Sequence, residues 1–161
     1  MKVIGISGSP RPNRNSELLL KYSLKPFYDK GWEVKEYFLS RLNINPCLGC
    51  EHCLDSGICS IEDDMEQIYE DYYDCDAIII TSPVYYRNIT AQLKAVIDRT
   101  HAKRSQKPLV GKVGGAIAVG RGTGGGQALA LSIIYNFYLS SGMLCAPGEL
   151  NGVSAVADKP G

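Results

Sequence analysis

The run Ala77-Ile78-Ile79-Ile80-Thr81 is apolar at successive positions, and no other stretch constrains the fold of this chain as tightly. A strand apolar on both sides has no face for water, so helices must cover both faces of its sheet, as they do in parallel sheets. The rest of the chain supplies those helices. Val3 to Ser7 reads as a first strand ended by Gly8-Ser9-Pro10, and Glu17 to Tyr28 then carries Leu18, Leu19, Tyr22 and Leu24 at helical spacing. Trp32 to Leu39 alternates as a second strand, and Asp63-Asp64-Met65 opens a second helix with acidic residues where the helix dipole favours them. Ser82-Pro83 stops the third strand. A third helix follows from Ile89 to Ala102, a fourth strand from Val113 to Val119, a fourth helix from Gln127 to Ser140 and a fifth strand from Met143 to Cys145. This alternation predicts a doubly wound, mostly parallel α/β sheet. The 161 residues suit a single domain spanning 1–161, long enough to bury roughly 70% of its unfolded surface.

Ligands of such folds bind outside the carboxyl ends of the strands. The distinctive loops at 8–16, 45–60, 82–88 and 120–126 each follow a strand and precede a helix, so all four are expected on one edge of the sheet. The second holds Cys47, Cys50, Cys53 and Cys59 within thirteen residues, C-x2-C-x2-C-x5-C. Its first three cysteines match the start of a ferredoxin-type run, and a four-iron cubane is the leading reading. A structural zinc more often uses two C-x2-C pairs separated by a longer loop. A disulfide fits poorly without a secretory context.

The first loop, Ser7 to Ser16, is rich in hydroxyls and amides and leads into a helix whose N–H groups can bind phosphate. It is neither a Walker loop nor a G-x-G-x-x-G fingerprint. A plain turn with Asn15 or Ser16 as N-cap is the alternative. The third loop, Thr81 to Asn88, offers tyrosines to a flat heterocycle, although tyrosines at strand ends are ordinary packing residues too. The fourth, Gly120 to Gly126, either lets backbone approach a ligand or is a flexible connection.

Taken together, Gly8-Ser9-Pro10-Arg11, the cysteine run followed by Asp63-Asp64-Met65, Ser82-Pro83-Val84-Tyr85, the Gln92-Leu93-Lys94-Ala95 to Asp98-Arg99 helix and Gly124-Gly125-Gly126-Gln127 resemble the iron–sulfur flavoproteins. That group lies within the flavodoxin-like, NAD(P)H-dependent FMN reductases, and the resemblance spans residues 3 to 145. It implies a five-stranded flavodoxin-like sheet of order 2-1-3-4-5 with a cysteine-rich loop after strand 2. It implies FMN phosphate held by Ser9, Arg11, Asn15 and Ser16. The isoalloxazine would rest on Pro83, Val84, Tyr85, Tyr86 and Asn88 with Gly120, Gly122, Gly124 and Gly125, and a 4Fe-4S cluster on Cys47, Cys50, Cys53 and Cys59. The activity implied is electron transfer from a ferredoxin-like donor to an oxidant such as oxygen or peroxide, with no catalytic acid–base residue. A homodimer or homotetramer is implied, the cluster loop of one subunit approaching the flavin of its neighbour. The rivals are an NAD(P)H-dependent FMN or quinone reductase without a functional cluster, and a redox-sensing cluster carrier without turnover. The sequence ends shortly after strand five, where a flavodoxin-like fold adds a fifth crossover helix, so that helix is expected to be absent here.

Seventeen basic and seventeen acidic residues cancel, which gives no electrostatic reason to expect nucleic acid or an anionic membrane as partner. No apolar run reaches the length of a membrane span and no signal peptide is recognisable, so a cytoplasmic protein with reduced thiols is expected. Cys75 and Cys145 read as buried structural thiols. His52 either bonds a cluster sulfur or faces solvent, and His101 favours the negative end of its helix. Asp63 and Asp64 read as helix-start residues, and Arg121 as facing flavin, partner or water.

Overall fold

The computed structural model describes residues 1–146 and 153–156. Strand β1 (Lys2–Ser7) lies between β2 (Glu33–Phe38) and β3 (Ala77–Pro83), and β4 (Val113–Gly120) follows β3, all parallel. The register sets Ile4 and Ile6 beside Ile78 and Ile80, with Ala116 next across the sheet. The order is 2-1-3-4-5, as expected. The fifth position differs in detail. Two strands share the outer edge of β4: β5 (Leu144–Cys145) opposite Val113 and Gly114, and β6 (Val153–Val156) opposite residues 117–120. Among the described residues the sheet therefore has six strands where five were expected.

The triple isoleucine divides between the two faces, as a pleated strand requires. Ile78 and Ile80 join Ile4, Ile6, Ala116 and Ala118 in a core with α3 (Met65–Asp74), α4 (Ala91–Arg99) and α5 (Gln127–Ser140). Ile79 packs on the other face with Val3, Leu20 and Leu24, the last two from α1 (Asn15–Asp29). A four-residue helix, α2 (Cys53–Ser56), interrupts the cysteine loop. The tail 157–161, where a fifth crossover helix was expected to be absent, lies outside the described residues.

Two expected helix ends move. Helix α1 has Arg14 as N-cap with no side-chain hydrogen bond, and Asn15 and Ser16 are its first helical residues rather than caps. Asn13 causes this: in a left-handed conformation (φ 56°), it donates its N–H to Glu17 Oε2 at 2.9 Å and so sets the entry into the helix. The third predicted helix is α-helical only to Arg99 and continues as a 3-10 segment, Thr100–Gln106. The Arg99 carbonyl, which an α-helix would direct to residue 103, accepts the Tyr69 hydroxyl at 2.6 Å. Thr100 Oγ1 donates back to Val96 O at 2.9 Å, a contact that bends helices.

Candidate functional site

Three of the four loops meet at the carboxyl edge of the sheet. Gly8 donates its N–H to Thr81 O at 2.7 Å, and the Thr90 hydroxyl donates to Gly8 O at 2.5 Å while accepting the Leu93 N–H as the α4 cap. A Cβ on Gly8 would lie 2.9 Å from Leu93 Cβ, so only glycine lets the first loop sit this close to α4. Beyond it, the buried Ser9 hydroxyl donates to Arg11 O at 2.9 Å and accepts the Arg11 N–H at 3.1 Å. The side chain of Ser9 thus shapes the loop. Glu17, buried, holds the far end: it accepts the Asn13 N–H, the Ser40 hydroxyl at 2.9 Å and Arg41 Nη2 at 3.0 Å. Arg11 is exposed, Asn15 half-buried and Ser16 buried. Because no side chain caps α1, its first-turn N–H groups are offered to an anion, and the buried Ser7 hydroxyl at the end of β1 has no hydrogen-bond partner. These residues fit a phosphate.

In the third loop Val84 donates to Val119 O at 2.8 Å, and Tyr85 and Asn88 exchange backbone bonds of 2.9 Å each. Tyr86 (φ 49°) and Arg87 (φ 61°) turn between them, both left-handed as a type I′ turn requires. The turn leaves Tyr86 fully exposed and Tyr85 partly so, beside half-buried Pro83 and Val84. Asn88 Oδ1 accepts the Ile89 N–H at 2.8 Å. The fourth loop closes against this turn. Gly126 has φ 103°, and a Cβ there would lie 2.7 Å from Arg87 Cα. Gln127 Nε2 donates to Gly122 O at 2.9 Å, Gly120 is buried, and Arg121, Gly124 and Gly125 are exposed. Tyrosine rings and a close glycine backbone thus flank one edge, a surface that fits a planar heterocycle.

The cysteine loop does not stay on that edge, contrary to the shared site expected. It leaves β2 near Ser40 and Arg41, but its middle packs on the 3-10 segment Thr100–Gln106, where Lys103 Nζ donates to Gly57 O at 3.1 Å. Gly8 meets α4 at its first turn, whereas the cysteine loop meets the last turn of α4 and the 3-10 segment after it. The nine residues of α4 rise about 13 Å from one end to the other. Cys47 and Cys50 are exposed, while Cys53 and Cys59 are half-buried against the core. The Gly49 N–H points to Cys47 Sγ at 3.4 Å, and Cys50 Sγ lies 3.1 Å from Ser60 Oγ. The Ser60 bond, then the His52 backbone, holds the Cys50 thiol below its ordinary pKa. Burial pushes Cys53 up, and the charges of Cys59, Cys47 and Cys50 add to the rise, so Cys53 senses all three. Among the described residues no three His, Cys, Asp or Glu side chains are drawn together as ligands of one ion. The donor set itself, four unbridged thiols in one loop, fits a sulfur-ligated iron group.

Asp63 is more than a helix-start residue. It accepts the Met65 N–H at 3.1 Å, as that role requires, and also forms a buried ion pair with Arg99. Asp64 accepts the Asn43 N–H at 2.6 Å. Cys75 is buried as expected, its thiol pushed up to about 11 by that burial, and Cys145 is half-buried. His52 and His101 are exposed. Thr90, Glu17, Arg99 and Lys103 were not foreseen. Thr90 carried a signal, a hydroxyl residue directly before a helix; the other three act through long-range contacts.

A flavodoxin-like sheet with an uncapped helix start and facing aromatic and glycine loops defines the class: a flavin-dependent oxidoreductase fold. The family described as NADPH-dependent FMN reductase matches residues 1–156. An iron–sulfur flavoprotein of Methanocaldococcus jannaschii is 41% identical over 165 aligned residues, covering all of this chain and 86% of that protein. One of Methanosarcina thermophila is 39% identical, covering 89% and 76%. Among solved structures, an apo NADH:FMN oxidoreductase superposes with TM-score 0.72 at 22% identity, over 96% of this chain and 75% of that one. A WrbA-like flavodoxin from Agrobacterium tumefaciens gives 0.70 at 13%, over 99% and 84%. These two likenesses are of fold. The chain belongs to the iron–sulfur flavoproteins of the NADPH-dependent FMN reductase family.

Proposed function

We propose that this chain binds FMN and a 4Fe-4S cluster and passes electrons from a ferredoxin-like donor to an oxidant such as oxygen or peroxide. The observation that carries the proposal is the pairing, in one chain, of an uncapped phosphate-type loop with a separate loop of four free thiols. Bound FMN exchanges electrons singly or in pairs and a cluster exchanges them singly, so the two together connect two-electron and one-electron reactants. The protein's part is placement. The amides around Asn15 and Ser16, with Ser9 shaping the turn and Arg11 beside it, hold phosphate. Pro83, Val84, Tyr85, Tyr86 and Asn88 flank the ring on one side, and Gly120, Gly122, Gly124 and Gly125 on the other. Cys47, Cys50, Cys53 and Cys59 supply thiolates to iron.

The separation of the cysteine loop from the flavin loops supports the homodimer or homotetramer in which one subunit's cysteines face its neighbour's flavin. Leu48, Leu54 and Ile58 of that loop are 73%, 56% and 59% exposed, apolar surface of the kind that interfaces cover. Six free thiols suit the reducing cytoplasm, and no helix among the described residues is long and apolar enough to cross a membrane. Anaerobic turnover tests the proposal. Reduced ferredoxin should drive oxidant consumption faster than NADH or NADPH does. The family description favours a second reading, a nicotinamide-dependent FMN or quinone reductase, and direct bleaching of bound flavin by NADPH with inert ferredoxin would select it.

A further inference from the structure

The cysteine loop is largely exposed, yet two buried cations hold it from beneath. Arg99, in the last turn of α4, is 2% exposed. Its Nη1 donates to Asn45 O at 2.9 Å and to Asp63 Oδ2 at 2.8 Å; its Nη2 donates to Ile61 O at 3.0 Å and to Asp63 Oδ1 at 3.1 Å. One planar group therefore joins the residue two before Cys47 to the residue two after Cys59. Asp63 completes the junction by accepting the Asn45 N–H at 2.9 Å. Lys103, four residues on, ties the middle of the loop through Gly57 O and stacks its ammonium 5.1 Å from the centre of the Tyr69 ring. Tyr69 in turn donates its hydroxyl to the Arg99 carbonyl at 2.6 Å.

Stability alone does not account for this arrangement. A buried ion pair loses in desolvation much of what it gains in attraction, and Arg99 Nε has no hydrogen-bond partner. The pair does fix geometry: lysine in place of Arg99 lacks the fork that meets four oxygens at once. The two cations also differ electrostatically. The charge of Arg99 is matched by Asp63, whereas Lys103 is held by a carbonyl and a ring.

We infer that Arg99, locked by Asp63, is a positioning residue that clasps the two ends of the cysteine loop before metal arrives, and that Lys103 sets a fixed positive charge behind the thiols. The inference rests on reading this loop as the cluster loop. A cation beside a cluster favours its more negative, reduced form, so Lys103 raises the reduction potential.

The clasp is tested on the full, metal-free, reduced chain by amide hydrogen exchange. Asn45, Leu54 and Gly57 have bonded N–H groups in the loop. Arg99→Lys should speed their exchange by about tenfold while β1 and β3 amides keep their wild-type protection. If Arg99→Lys fails to fold, the double variant Arg99→Met/Asp63→Leu, which removes both buried charges together, carries the same expectation. Wild-type exchange in the loop of a folded variant would overturn the clasp. After reconstitution with ferrous iron and sulfide, Lys103→Met should lower the cluster's midpoint potential and Lys103→Arg should restore it; equal potentials in all three would overturn the electrostatic part. If the wild-type chain takes up no iron or sulfide yet Arg99→Lys still loosens the loop, the clasp stands and the cluster reading falls.

Discussion

The Thr90 hydroxyl donates to the Gly8 carbonyl at 2.5 Å and accepts the Leu93 N–H at 3.2 Å, so one oxygen both caps α4 and pins the first loop to it. Eighty-two positions apart in sequence, these residues join the first loop to the start of the helix that follows the third loop, at the edge proposed to hold flavin. Thr90→Val keeps the shape and loses both bonds. It should cost about 1–2 kcal/mol in a urea titration and weaken FMN binding measured by flavin fluorescence, with Thr90→Ser close to wild type.

A thiol of the cysteine loop and a core thiol differ in reactivity before metal binds. Ser60 and the backbone hold Cys50 low, whereas burial lifts Cys75 to about 11. Iodoacetamide at pH 8 should therefore label Cys50 rapidly and leave Cys75 untouched in the folded chain, as read by peptide mass spectrometry. Ser60→Ala should slow labelling at Cys50.

Acid should open the cysteine loop before the sheet. Burial pushes the Asp63 carboxyl up, but donation from Arg99 and from the Asn45 and Met65 amides outweighs it and leaves the pKa below the ordinary value. A carboxylate depressed in the folded state gives stability that is fully present above its unfolded pKa, about 3.9, and is lost as pH falls through the folded value. Intrinsic protection of the loop amides should fall below about pH 4 in the wild type, and Asp63→Asn should remove that dependence.

Much of the fold was legible because its signals are local. The Ile78-Ile79-Ile80 run gave a buried central strand, and the apolar helix from Gln127 to Ser140 has the ends its glycine start and serine end suggest. What the sequence hid depends on distant partners. The Tyr69 hydroxyl, thirty residues away, takes the Arg99 carbonyl where α4 gives way to the 3-10 segment. The Asn13 N–H turns to Glu17 and displaces the cap from Asn15 or Ser16 to Arg14. Topology rightly placed the start of the cysteine loop at the end of β2. Its destination is set by Arg99 reaching Asn45 from fifty-four positions away, a contact that no periodicity announces.

That separation predicts independent losses. Cys59→Ser should abolish stable iron uptake after reconstitution while leaving FMN affinity within about twofold of wild type, because residues without shared partners act additively. The check is iron content by chemical assay and flavin affinity by fluorescence on the same preparation.

The most direct test of the central claim is the anaerobic ultraviolet–visible spectrum of freshly purified protein, with iron, acid-labile sulfide, zinc and FMN quantified on one sample. The account predicts about four irons and four sulfides per FMN, with broad visible absorption beneath the flavin bands. A clean flavin spectrum without iron, persisting after anaerobic handling and cluster reconstitution, would contradict it.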